Sequence, residues 1–187
     1  MIFEHFLLDV NEANAFLVGC EETCEALLMD AGDWDARIEQ CLRDHAIRLT
    51  KVFITHDHYD HTAGLRQVIA ATSATVYSGS GMADGQRTQR LAHGDTLVVG
   101  NITGRVVATP GHTPEGICLI IPGMVFTGDA LFAGSVGGTS SRANADRQVA
   151  AIREHLFALP DHYEVHPGHG PSSTIGIERR YNPFFNL

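Results

Sequence analysis

Six consecutive residues, His56-Asp57-His58-Tyr59-Asp60-His61, constrain this chain more than any other stretch. They set three imidazoles and two carboxylates straight after the largely apolar run Lys51-Val52-Phe53-Ile54-Thr55, which reads as a strand. Imidazole nitrogen and carboxylate oxygen are the donors that suit Zn²⁺ and the first-row metals near it. His56 and His58 alternate along an extended turn, so both can face one ion. Asp60 and His61 open a predicted helix and point elsewhere, towards a second ion. A solvated His-rich loop is the competing reading, and three more residues of ligand type weigh against it.

Those three are His112, Asp129 and His169. His112 lies in Ala108-Thr109-Pro110-Gly111-His112-Thr113-Pro114, after a strand-like run from Ile102 to Thr109. Asp129 ends Met124-Val125-Phe126-Thr127-Gly128-Asp129, and His169 lies in Val165-His166-Pro167-Gly168-His169-Gly170-Pro171. Each follows a β-type run and opens a loop rich in Gly or Pro. That pattern puts all of them on one rim of a sheet scaffold, where rigid strands aim loops at chemistry.

The rest of the chain reads as mixed α/β. Strands are predicted at 2–8, 15–19, 25–30, 51–55, 75–78, 96–99, 102–109, 116–121 and 124–129. Helices are predicted from Trp34 to His45, from Asp60 to about Ala71, and from Ala145 to about Leu159, the last capped by Asn144. Residues 79–94 read as a polar loop with a helical turn. Asp30 reads as a turn residue, with a role behind a ligand histidine as the alternative. Asp57 reads equally as a carboxylate backing a ligand or as one accepting backbone hydrogen bonds. The remaining histidines, His166 among them, are left outside the site.

The formal charge of −9 opposes a nucleic-acid substrate, since a phosphate-binding surface is basic. No run approaches the roughly 20 apolar residues of a membrane span, and Met1-Ile2-Phe3-Glu4-His5 lacks a basic start followed by an apolar stretch. A cytoplasmic protein without membrane partners is expected. Cys20, Cys24, Cys41 and Cys118 show no zinc-ribbon or C-x-x-C spacing and are expected as reduced thiols, with Cys118 in the core.

Taken together, Thr55 to His61, Thr109-Pro110-Gly111-His112-Thr113, Thr127-Gly128-Asp129 and Pro167-Gly168-His169-Gly170 resemble the metallo-β-lactamase superfamily, and within it the glyoxalase II-like branch. The resemblance covers nearly the whole chain. It implies a four-layer αββα sandwich, here one domain over residues 1–187. It further implies two divalent metal ions, zinc foremost with iron or manganese as options. By the same resemblance His56, His58 and His112 hold the first ion, Asp60, His61 and His169 the second, and Asp129 bridges them. The implied activity is hydrolysis of a small-molecule thioester of the hydroxyacylglutathione type by metal-held hydroxide. Asp60 and Asp129 are also read as proton carriers.

The chain departs from that pattern in three places. It stops eighteen residues after His169, so the helical C-terminal domain of full glyoxalase II enzymes, with its basic glutathione contacts, is expected to be missing. The loop from Ala133 to Arg142 holds neither the Lys nor the Tyr that the family uses there. Arg142 is then the candidate for a substrate carboxylate, against the competing reading of a solvent-facing arginine at a helix start. The usual Gly after His-Thr-x is Glu115. Two other functions stay open: a persulfide dioxygenase-like oxidoreductase using one iron held by His56, His112 and Asp129, and a non-enzymatic metal-binding protein.

Overall fold

Two sheets whose central strands are buried on both faces dictate the architecture. The computed structural model describes residues 1–185. Strands β1 (Ile2–Leu7), β2 (Asn14–Cys20) and β3 (Glu25–Met29) are followed by α1 (Ala36–Asp44) and β4 (Arg48–Ile54). Two short helices, α2 (Tyr59–Thr62) and α3 (Leu65–Thr72), lead to β5 (Thr75–Ser78), a small hairpin of β6 (Met82–Ala83) and β7 (Gln86–Arg87), and β8 (Gln89–Arg90). Then come β9 (Thr96–Val99), β10 (Ile102–Ala108), β11 (Ile117–Ile121) and β12 (Met124–Gly128). A second hairpin of β13 (Leu131–Phe132) and β14 (Ser135–Val136) precedes α4 (Arg142–Ala151), β15 (Glu164–Pro167), β16 (Ser173–Thr174) and α5 (Ile175–Tyr181).

The first sheet has the order β1-β2-β3-β4-β5-β8 and the second β16-β15-β12-β11-β10-β9. Strand alternation shows how they stack. On β2, Ala15 and Leu17 join a core with Ile38 of α1 and Leu65 and Val68 of α3. Phe16 and Val18, facing the other way, meet Leu119, Ile121 and Phe126 of the second sheet. On β11 the alternation repeats: Cys118 and Ile120 turn outwards to Ile152, Leu156 and Ile175. Three cores between four layers make an αββα sandwich, as expected.

Several local expectations needed correction. The helix expected from Asp60 to Ala71 is two helices, because Gly64 passes hard against the preceding loop. Its N–H donates to the Ala31 carbonyl, and a Cβ there would lie 2.4 Å from the carbonyl carbon of Asp33. The cap of α4 is Ser141, whose hydroxyl accepts the Asn144 N–H at 3.2 Å, so the helix starts at Arg142 and not after Asn144. It also ends earlier, running on into a π-type turn over Ile152–Leu156. Residues 79–94 carry three short strands in place of the expected helical turn. The first helix begins two residues later than expected, where the Asp35 carboxylate accepts the Arg37 N–H.

Strand direction gathers the rim. Strands β3, β4 and β5 run parallel, and β12 runs parallel to β15. The ends of β4, β12 and β15 therefore each deliver a ligand-bearing loop, the arrangement in which open α/β sheets present their sites. The two sheets meet there: the Ile117 N–H donates to the Thr55 carbonyl at 3.0 Å. Gly128, at φ 48, lets the end of β12 close on Thr55, where a Cβ would sit 2.4 Å from the hydroxyl oxygen.

Candidate metal centre

The structure brings all seven sequence-predicted ligands together in two adjoining groups, His56, His58, His112 and Asp129 in one, and Asp60, His61 and His169 in the other. Within each group the donor atoms lie within 4.8 Å of one another. In the first group, His58 Nδ1 is 3.1 Å from His56 Nε2 and 3.0 Å from His112 Nε2. In the second, His169 Nε2 is 3.4 Å from Asp60 Oδ2, and His61 Nε2 is 4.0 Å from Asp60 Oδ1. Asp129 stands between them. Its Oδ2 is 3.4 Å from His112 Nε2, and its Oδ1 is 3.4 Å from His61 Nε2.

The outer nitrogen of each anchored ring decides which nitrogen faces inwards. His112 Nδ1 donates to the Gly138 carbonyl at 2.7 Å. The Thr55 hydroxyl donates to Asp30 Oδ2 at 2.9 Å, so at 3.0 Å from His56 Nδ1 it acts as an acceptor. His61 Nδ1 donates to Asp30 Oδ2 at 2.9 Å. These tautomers follow from the neighbouring acceptors. They leave three Nε2 atoms aimed at the centre.

These residues fit a metal. His61 Nε2 and Asp129 Oδ1 are buried with no hydrogen-bond partner, and buried polar atoms are seldom left so. The unprotonated nitrogens of His56 and His112 converge on His58, an arrangement that calls for a cation among them. Burial drives His56 down to about 2, which keeps it neutral and ready to coordinate. At His61 burial opposes the charge, but Asp30 and Asp129 outweigh it and hold a proton on the ring. Burial likewise resists charge on Asp129, and the adjoining His61 overcomes it and holds the carboxyl below its usual range.

The supporting residues are partly the expected ones. Asp30, read first as a turn residue, is instead a buried carboxylate that orients His61 and Thr55, at a φ of 57. The cue was available: it ends an apolar strand as Asp129 does. Asp57 serves the loop, accepting the Asp84 N–H at 2.8 Å. His166 packs away from the site against Phe3, Phe16 and Phe126. Arg142 is exposed on α4 and paired with Asp146 at 2.8 Å.

Three further buried polar residues, outside the expected site, support it. Asn14 Nδ2 donates to the carbonyls of Pro167 and Gly170, which bracket His169. Gln148 Nε2 donates to the carbonyls of Ala130 and Gly137 at 3.0 and 3.1 Å. Glu178 accepts from the Gly134 N–H and the Asn182 amide. Together they fix the loops that carry His169 and flank Asp129. The β13–β14 hairpin held in this way sets Phe132 6.3 Å from the His169 ring, an apolar wall beside the centre.

Comparison with known proteins places this site in context. The model of the metallo-beta-lactamase superfamily matches residues 8–83. A hydroxyacylglutathione hydrolase of Nitrosococcus oceani is 35% identical over 163 residues, covering 82% of this chain but only 60% of that protein's length. A probable metallo-hydrolase of Streptococcus pyogenes is 31% identical over 189 residues, covering 86% of this chain and 81% of that one. The crystal structure of ETHE1 from Myxococcus xanthus superposes with a TM-score of 0.85 at 35% identity, over 98% of this chain and 84% of that chain. A structure solved in a di-iron-bound form gives 0.81 at 28% identity, over 97% and 99%.

Proposed function

This chain belongs to the metallo-beta-lactamase superfamily, and from that premise we propose that it is a binuclear metal-dependent hydrolase cleaving a thioester of the hydroxyacylglutathione type. The observation that carries the reading is the placement of Asp129, whose carboxylate reaches both histidine groups: Oδ1 is 3.4 Å from His61 Nε2, and Oδ2 is 3.4 Å from His112 Nε2 and 3.8 Å from His169 Nε2. His56, His58 and His112 would hold one ion, Asp60, His61 and His169 the other, and Asp129 both. Such ions supply hydroxide from water at neutral pH and polarise the substrate carbonyl. Zinc suits the donor set, and iron and manganese share its ligands.

The chain's own residues do the rest. Asp30, Thr55 and the Gly138 carbonyl orient the imidazoles of His61, His56 and His112 from behind, which lessens the reorganisation the reaction would require. Asp60, at the edge of the site with Asn11 bonded to its Oδ2, can take and return a proton. Water adds to the thioester carbonyl, the carbon–sulfur bond breaks, and acid and thiol leave. A thiolate departs with little acid help, its pKa being about 8.5, which suits a site without a separate general acid. Phe132 offers an apolar surface for the acyl or thiol arm. The name of the Nitrosococcus relative supports this substrate class. A cytoplasmic setting accords with the four free cysteines. Among the described residues no helix is long and apolar enough to cross a membrane.

A second reading is favoured by one observation, the likeness to ETHE1, which suggests persulfide dioxygenase chemistry at a single iron. His56, His112 and Asp129 lie in one group and could supply two nitrogens and one oxygen to it. Metal analysis of freshly purified protein, together with assays on lactoylglutathione, on thioesters of other thiols and on glutathione persulfide, separates the two. Two ions per chain with thioester cleavage is the expected outcome. One iron, with oxygen uptake on the persulfide and no thioester cleavage, would replace it. For substrate binding we propose Arg142, which must leave Asp146 to reach a substrate carboxylate. Arg142→Ala should then raise KM with kcat unchanged, and unchanged kinetics would return it to the surface.

A further inference from the structure

A second set of metal donors lies on the opposite face of the first sheet from its partner sheet. Glu4 on the edge strand β1 and Cys41 and His45 at the end of α1 bring a carboxylate oxygen, a thiol sulfur and an imidazole nitrogen within 4.8 Å of one another. Cys41 and His45 are four residues apart, and such residues share one face of a helix. His45 Nε2 is 3.7 Å from Glu4 Oε1. The three line a cleft of about 300 Å³ together with Asp44.

We propose that Glu4, Cys41 and His45 form a separate site for a thiophilic divalent cation of the zinc class, joining β1 to α1. One sulfur, one nitrogen and one oxygen are three ligands of a tetrahedral zinc, with the fourth position left to water. The surrounding charge agrees. Arg37 also lines the cleft, but its charge is met by Asp35, and Arg43 pairs with Glu39. Asp44 adds negative potential, and the carbonyl end of α1 favours a cation there. Binding forms one metal–sulfur bond and releases the thiol proton to solvent.

The test does not depend on what the histidine-rich centre does, since none of its seven ligand candidates carries sulfur. Co²⁺ is added to protein whose main centre has been filled with zinc. A near-ultraviolet thiolate-to-cobalt charge-transfer band is expected, saturating at one cobalt per chain. Cys41→Ser should abolish the band, and His45→Ala and Glu4→Gln should weaken binding at least tenfold. Cys24→Ser, at an exposed thiol elsewhere, should leave the band intact. Zn²⁺ at about 100-fold above its dissociation constant should raise Tm by about 5–10 °C in the unaltered chain and by clearly less at the same zinc concentration in His45→Ala. No band, a band that survives Cys41→Ser, or a zinc-dependent Tm rise unaffected by His45→Ala would each overturn the site. Glu4 and His45 would then be a surface ion pair over a packed cysteine.

Discussion

The two halves of the main centre are built by different means. The His56, His58 and His112 half is steadied by neutral dipoles, a threonine hydroxyl behind His56 and a backbone carbonyl behind His112. The Asp60, His61 and His169 half is steadied by charge, with the buried Asp30 carboxylate against His61 and Asp60 among the ligand candidates themselves. Dipoles fix direction at little electrostatic cost, whereas a carboxylate also makes the imidazole a stronger donor. A pair of ions can thus be held unequally although most of their ligands are the same residue type. Asp129 groups with the first half and also reaches His61 and His169 of the second.

Three substitutions test that contrast. Asp129→Ala has the largest expected effect: both ions lost and turnover reduced to background, read by metal analysis and by the thioester assay. Retention of two tightly held ions would end its bridging role. Asp30→Asn comes next. Asparagine tolerates the φ of 57 and still offers an oxygen to the Thr55 N–H, so the change removes charge more than shape. The ion beside His61 should weaken about 10–100-fold and the other hold, as read by competition with a chelator. Equal weakening of both would erase the distinction drawn here. Thr55→Val is the smallest. It strips the acceptor from His56 Nδ1 and one donor from Asp30, and should lower unfolding stability by about 1–3 kcal/mol. Its metal loss should be only a few-fold and greater at the His56 half. A purely global loss of stability, with metal affinities untouched, would show that the hydroxyl does not orient the ring.

The ligand candidates were legible because His56, His58, Asp60 and His61 crowd into six residues after an apolar run, and His112, Asp129 and His169 each stand where such a run gives way to a Gly- or Pro-bearing loop; both features are local. The αββα layering was legible through the family pattern, and strand alternation on β2 and β11 supplies its physical basis. What escaped was long-range. Asn14 and Gln148 look like ordinary polar residues until partners 153 and 18 positions away are known. The break at Gly64 arises from a contact with the Asp33 backbone, which no helical periodicity can report. Asp30 lies between these cases: its place at a strand end was visible, its partner His61 was not.

The tie between Asn14 and the His169 loop also imposes an order in time. Asn14 sits on the second strand and is among the first residues synthesised, yet the carbonyls it holds belong to Pro167 and Gly170. Forty residues separate Asp129 from His169. At about 5–20 residues per second, that is about 2–8 s of translation. During this interval every donor of the first group has been made, while the second group still lacks its last imidazole. The donors of one group thus all precede, in the order of synthesis, the residue that completes the other.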